Sequence, residues 1–209
     1  NKNKEQFHNP FALVSTRQFG PQEAVRYAGG FQDPARMALA FAGVTLFLLL
    51  KTRNLWLASG SIYIGLPILA LLWLRAQDNG LLLAFWGLSL VWATDIGAFF
   101  AGRSFGGPKV APRISPNKTW SGLFGGMLAA LFLGWALTTY WGLPFELALI
   151  SPLLAILAQI GDFFESWLKR RAGVKDSGTL IPGHGGVLDR LDGVVMSLPV
   201  AALLVWLGL

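Results

Sequence analysis

The chain has 209 residues, 54% of them hydrophobic and only 13% charged, with a net charge of +6 and no cysteine. Soluble domains run near about 25% charged, so this balance excludes an ordinary soluble domain and points to an integral membrane protein. The lack of thiols excludes a disulfide framework and a thiolate metal site, leaving oxygen ligands or the two histidines for any metal.

Residues 1–35 mix Lys, Arg, Gln, Gly and Pro with isolated aromatics and show neither the period of a strand nor that of a helix. They read as a polar arm or interfacial segment ahead of a transmembrane domain over 36–209. They contain no apolar core region of a secretory signal. The start at Asn1 and the end at Leu209, inside an apolar run, read as a processed form or a fragment.

The first apolar run, Met37 to Leu50, holds 14 residues between Arg36 and Lys51. That is about 21 Å of helix against a hydrocarbon core of about 30 Å, so it spans only if its flanking cations snorkel. Leu55 to Leu74 is a cleaner span of 20, with a kink expected near Gly65 and Pro67. Leu81 to Ala101 carries Asp95 and is followed by Gly102-Arg103 and a loop of Gly, Pro and cations up to Lys118. A fourth span runs from about Thr119 to Tyr140, where Gly122, Gly125, Gly126 and Gly134 offer small faces for close packing. Pro144 opens a long fifth helix, apolar to Ile160 and polar from Gly161 to Arg171, and a last run covers about Val194 to Leu209. The fold expected is an all-α, polytopic membrane bundle of five to six helices.

The cations set the orientation. If all six runs span, 11 of the 17 Lys and Arg fall on one side, and if the first run lies in the interface the split becomes 16 to 1. In either case the loops 102–118 and 168–192 share the cytoplasmic face. Cations placed in short loops beside apolar runs suit anionic lipid or nucleotide phosphate better than nucleic acid.

Against this background Ser166 to Asp192 is a dense polar segment of 27 positions, costly to place between apolar spans. Just ahead of it, Asp162, Glu165, Ser166 and Lys169 fall at i, i+3, i+4 and i+7, one stripe of two carboxylates, a hydroxyl and a cation. Asp189 and Asp192 repeat the spacing at the start of the last helix, with Arg190 between them. The four carboxylates converge only where the two helix ends meet. Oxygen ligands without Cys are the chemistry of Mg²⁺ or Mn²⁺, and the interleaved Lys169, Arg170, Arg171, Lys175 and Arg190 suit a polyanionic substrate. A metal plus triphosphate site satisfies both signs.

Each residue also has a plainer reading. Asp162 could be a helix-end carboxylate paired with Arg190 or Lys169, Arg170 and Arg171 topology anchors, and Asp95 glue between helices. Pro182 to Gly186 could be a flexible turn, although glycines around His184 also permit close backbone approach to phosphate.

Ser166, Lys169-Arg170, Lys175-Asp176, Pro182, His184-Gly185-Gly186, Asp189-Arg190 and Asp192 together resemble the signature of the phosphatidate cytidylyltransferase (CDP-diacylglycerol synthase) family. A second block, Thr94-Asp95-Ile96-Gly97 to Gly102-Arg103 and on through Ser115-Pro116-Asn117-Lys118-Thr119, resembles the same family. The two cover the chain from about residue 85 to its end. The resemblance implies transfer of CMP from CTP to phosphatidate, giving CDP-diacylglycerol and pyrophosphate.

On that reading Asp162 and Asp189, with Asp192 assisting, hold one or two Mg²⁺ ions. Lys169, Arg170, Lys175 and Arg190 neutralise the triphosphate, with Asp176 and His184 in the same catalytic set. Ser115, Lys118 and Thr119, at the start of the fourth helix, add phosphate donors, and Ser166, Gly185 and Gly186 contact substrate. Asp95 orients a lysine or touches the metal shell. The expected partners are CTP, phosphatidate and the bilayer, with a homodimer open through small-residue faces, in a bacterial inner membrane with the site facing the cytoplasm. Two rival readings are a CTP-dependent transferase acting on a polyprenol or ether lipid and an ion-translocating protein whose Asp95 and Asp162 carry ions. A third is an inactive homologue that serves as a scaffold.

Overall fold

The structure, a computed structural model, describes residues 34–112, 114–174, 177–178, 186 and 188–208, with Pro34, Ala35 and Arg190 as backbone only. Among the described residues six helices run back and forth: α1 Pro34–Thr52, α2 Leu55–Arg75, α3 Gly80–Phe105, α4 Trp120–Trp141, α5 Phe145–Arg171 and α6 Leu188–Trp206. Links of two to four residues join α1 to α2, α2 to α3 and α4 to α5, so these neighbours run antiparallel.

The expected short first run is a 19-residue helix, about 28 Å long, because Arg36 and Lys51 sit within its end turns rather than beyond them. It lies along α2. Thr45 and Ser61 hydroxyls meet across the pair at 3.3 Å, and Phe41 covers Gly65. Asn54 starts α2 by accepting the Trp56 N–H at 2.9 Å.

α3 is the central helix, packed against α2, α4, α5 and α6. Its Trp86 is wholly buried and donates its indole N–H to Ser151 Oγ of α5 at 3.0 Å, which satisfies a polar group far from water. The glycines of α4 work as their spacing predicts. A methyl group at Gly126 would stand 2.9 Å from the Thr94 carbonyl oxygen of α3, and one at Gly134 2.8 Å from Ala148 Cα of α5. Helices α2 to α5 are long and apolar enough to cross a membrane, and the apolar stretch of α6, Leu191–Trp206, is shorter. Side chains such as Trp92, Phe100 and Phe132 are exposed, as lipid-facing residues of a bundle are.

One departure from the sequence reading shapes the polar end. The segment after α3 is not all loop: α3 continues through Arg103 to Phe105, and β1 Lys109–Ala111 then pairs antiparallel with β2 Ser115–Thr119. α6 begins at Leu188, ahead of the apolar run, and places Asp189 and Asp192 at the start of the last helix as their spacing predicts. α5, at 27 residues about 40 Å long, outreaches a hydrocarbon core of about 30 Å and carries its polar last turns beyond it.

Candidate active site

Two glycines seat the site. A Cβ at Gly161 would meet the Asp192 carbonyl oxygen at 2.5 Å, and one at Gly193 would meet Val91 at 2.8 Å and Ala158 at 3.3 Å. The first turns of α6 therefore lie directly on the polar end of α5, and the carboxylates of both helices come together as their spacing required.

The stripe on α5 forms as predicted. Ser166 Oγ donates to Asp162 at 3.4 Å, and Lys169 Nζ reaches Glu165 Oε2 at 3.3 Å, one turn away. Lys169 also donates to Asp189 Oδ1 of α6 at 2.6 Å, so one ammonium bridges the two helices. Asp189 is surrounded by donors: its Oδ2 accepts from Ser177 N–H at 2.9 Å, Ser177 Oγ at 2.9 Å and Gly186 N–H at 2.7 Å. It precedes the apolar stretch of α6. Burial pushes its carboxyl up, but the Lys169 ammonium and these N–H and O–H donors outweigh that and hold it well below the usual carboxylate range.

Among the described residues Asp162 is paired with Lys118 and not with Lys169, and the side chain of Arg190 lies outside them. Lys118 also donates to Gln159 Oε1 at 2.9 Å and lies 4.8 Å from the centre of the Phe163 ring, so three residues of α5 fix one ammonium from β2. Sequence reasoning missed Gln159, although its place three residues before Asp162 puts it on the same stripe. It also missed Ser177, whose role depends on how the segment after α5 folds back.

Ser115 and Lys118 do not start the fourth helix. They belong to β2, held by pairing with β1, and Thr119 alone is the N-cap, its Oγ1 accepting the Gly122 N–H at 3.1 Å. One donor of the helix end is thus already taken. Beside Lys118 opens a cavity of about 550 Å³ between α3, α4 and α5. Arg103, Lys118, Asp162 and Asn117 give its lining charged and polar groups, and Ala98, Phe99 and Leu123 give it apolar ones. Asp95 lines the same cavity and lies within electrostatic reach of Lys118 and Asp162.

Arg170 is exposed on the last turn of α5. Gly186 contributes its backbone N–H to Asp189. Lys175, Asp176, His184 and Gly185, and the side chain of Arg190, lie outside the described residues.

Asp192 accepts its own helix's Gly193 N–H at 2.7 Å and lies in the field of Asp162, Glu165 and Asp95. Glu165 is buried, its carboxyl group stands against that of Asp192, and its Oε1 has no hydrogen-bond partner among the described residues. No group of three or more His, Asp or Glu among the described residues closes round a common point as a metal cage does. An all-oxygen donor set with one buried carboxylate oxygen unmatched nevertheless fits a hard divalent cation, which prefers oxygen and keeps water in its shell.

The match to known proteins runs well beyond these motifs. The model of the cytidylyltransferase family matches residues 2–207, so the likeness extends through α1, α2 and the N-terminal arm. A protein of Brucella suis biovar 1 (strain 1330) named phosphatidate cytidylyltransferase is 47% identical over 165 residues, covering 76% of this chain and 58% of that protein. Proteins of the same name from Rickettsia bellii (strain RML369-C) and Pseudomonas aeruginosa are 40% identical over 157 residues and 48% over 132. They are covered over 67% and 48% of their lengths, and 70% and 61% of this chain is covered in turn. The chain thus spans about three-fifths of the Brucella relative it matches. With the family model spanning nearly every residue and relatives this similar, the chain belongs to the cytidylyltransferase family.

Proposed function

We propose that this chain is the membrane-embedded catalytic part of a phosphatidate cytidylyltransferase, acting at the cytoplasmic face of a bacterial inner membrane. The observation that carries the reading is the pair of lysine-centred clusters on α5: Lys118 with Asp162 and Gln159, and Lys169 with Glu165 and Asp189. The first lines a cavity whose lining holds both charged and apolar side chains, as a site for an amphiphile carrying a phosphate requires.

A phosphatidate oxygen is already ionised near neutral pH, so it attacks the α-phosphorus of CTP without a strong general base. A P–O bond forms to the lipid phosphate as the bond from the α-phosphorus to the bridging oxygen breaks, and pyrophosphate leaves with the electron pair. The chain's task is to neutralise charge and hold the line of attack. Lys118 and Arg103 face the cavity where the lipid phosphate would sit. Lys169, two turns farther along α5, together with Arg170, Lys175 and Arg190, would take the triphosphate. The carboxylates of Asp162 and Asp192, with Glu165 beside them and Asp189 in the next turn, would hold Mg²⁺, which when bound supplies charge neutralisation to the phosphates. Asp189 also ties Ser177 and Gly186 to the helix start, so it positions the signature segment as well.

The test is CTP-dependent formation of CDP-diacylglycerol by protein in detergent. Asp162→Asn and Asp189→Asn should each lower turnover by about 100-fold or more. Near-native turnover of both variants at low Mg²⁺ would sink the metal assignment, and a preference for polyprenol phosphate over phosphatidate would replace the lipid acceptor.

A further inference from the structure

Two buried side-chain polar atoms lack a hydrogen-bond partner among the described residues, Glu165 Oε1 and the hydroxyl of Tyr63. One is an acceptor and the other a donor, and Tyr63 lies within electrostatic reach of both Glu165 and Asp192. Tyr63 comes from α2, a helix that carries none of the motif residues. Its place is fixed by a ladder along the α2–α5 seam. The Tyr63 ring lies 5.7 Å from Phe164, Phe164 stacks on Trp167 at 5.9 Å, and Arg171 sits 5.4 Å from Trp167 and 5.7 Å from Trp56. Trp56 and Tyr63 are seven residues apart, on one face of α2, so both ends of the ladder hold the same register. In a water-poor interior an unmatched donor and an unmatched acceptor within reach of the same site are satisfied together by one shared water.

We propose that Tyr63 is a positioning residue of the reaction: its hydroxyl donates, through one water, to the Glu165–Asp192 carboxyl pair and holds both groups in one orientation. The proposal rests on the cytidylyl-transfer reading of the site. The helix that reaches the site from outside the motifs thus sets how its buried acids point.

Tyr63→Phe deletes one oxygen and keeps the ring against Phe164, so the seam survives. With CTP and phosphatidate in detergent, turnover should fall about tenfold while both KM values stay within about twofold. The Mg²⁺ concentration giving half of that ion's thermal stabilisation of the protein should rise several-fold. In a Glu165→Gln background the same change should alter either quantity by less than about twofold, because the two groups act as one unit. Unchanged turnover together with an unchanged Mg²⁺ midpoint overturns the proposal. So does a tenfold loss that persists in full in the Glu165→Gln background, since the hydroxyl would then act elsewhere. If the wild-type protein forms no CDP-lipid, the functional reading fails, and the Mg²⁺ midpoint of Tyr63→Phe decides the assignment by itself.

Discussion

Lys118 meets an anion and a neutral amide at once, so its ammonium is both neutralised and aimed. Replacing Lys118 by Ala should leave Asp162 without its counter-ion and lower turnover about 100-fold. Gln159→Leu, which removes the aim but not the charge, should cost nearer tenfold, and steady-state kinetics on the two variants separates the roles. Asp189 makes a pH prediction. Its carboxyl is held below the usual range, so the stability it contributes is present above the unfolded pKa of about 4 and is lost as pH falls through the lower folded value. Asp189→Asn should lower stability by about 1–3 kcal/mol near neutral pH, and thermal melts of the two proteins should begin to converge only below about pH 4. The α5 stripe was legible because helical spacing alone dictates it. The Lys118–Asp162 pair was not, since residues 44 apart meet only through packing.

The helices themselves were legible from the apolar runs, but their ends were not. Hydropathy stops where charge begins, so the apolar run alone marked the last helix only from about Val194, and the spacing of Asp189 and Asp192 was what carried its start back toward Leu188. The β1–β2 hairpin hid for a similar reason: its strands hold Lys109, Pro116, Asn117 and Lys118, which lack the alternating apolar pattern of a half-buried strand. Contact between α5 and α6 depends on Gly161, where a side chain would press on the backbone of Asp192. Gly161→Ala should destabilise the protein by about 1–3 kcal/mol and shift the α6 carboxylates off α5. Turnover should fall more than thermal stability does, and a variant with wild-type kcat would show that the helix ends tolerate separation.

Across the whole bundle the cations divide by end. Lys51, Arg53, Arg103, Lys109, Lys118 and Lys169 to Arg171 lie at the end that holds the site, and Arg36 and Arg75 at the other. A chain with no cysteine makes the orientation easy to check. In intact cells an impermeant thiol reagent should label Asp78→Cys, in the link before α3, and should reach Lys109→Cys only after lysis. The same two lysines that define the site also tie the molecule together there. Lys118 pins the hairpin to α5 and Lys169 pins α5 to α6. On the proposed reading, lipid phosphate would claim Lys118 and triphosphate Lys169, so each lysine would change partner and each deserted carboxylate would be left in want of a cation. Phosphate and divalent ion would then be recruited as a couple, each tightening the other by the same factor, and the joints between hairpin, α5 and α6 would come to run through the ligands themselves.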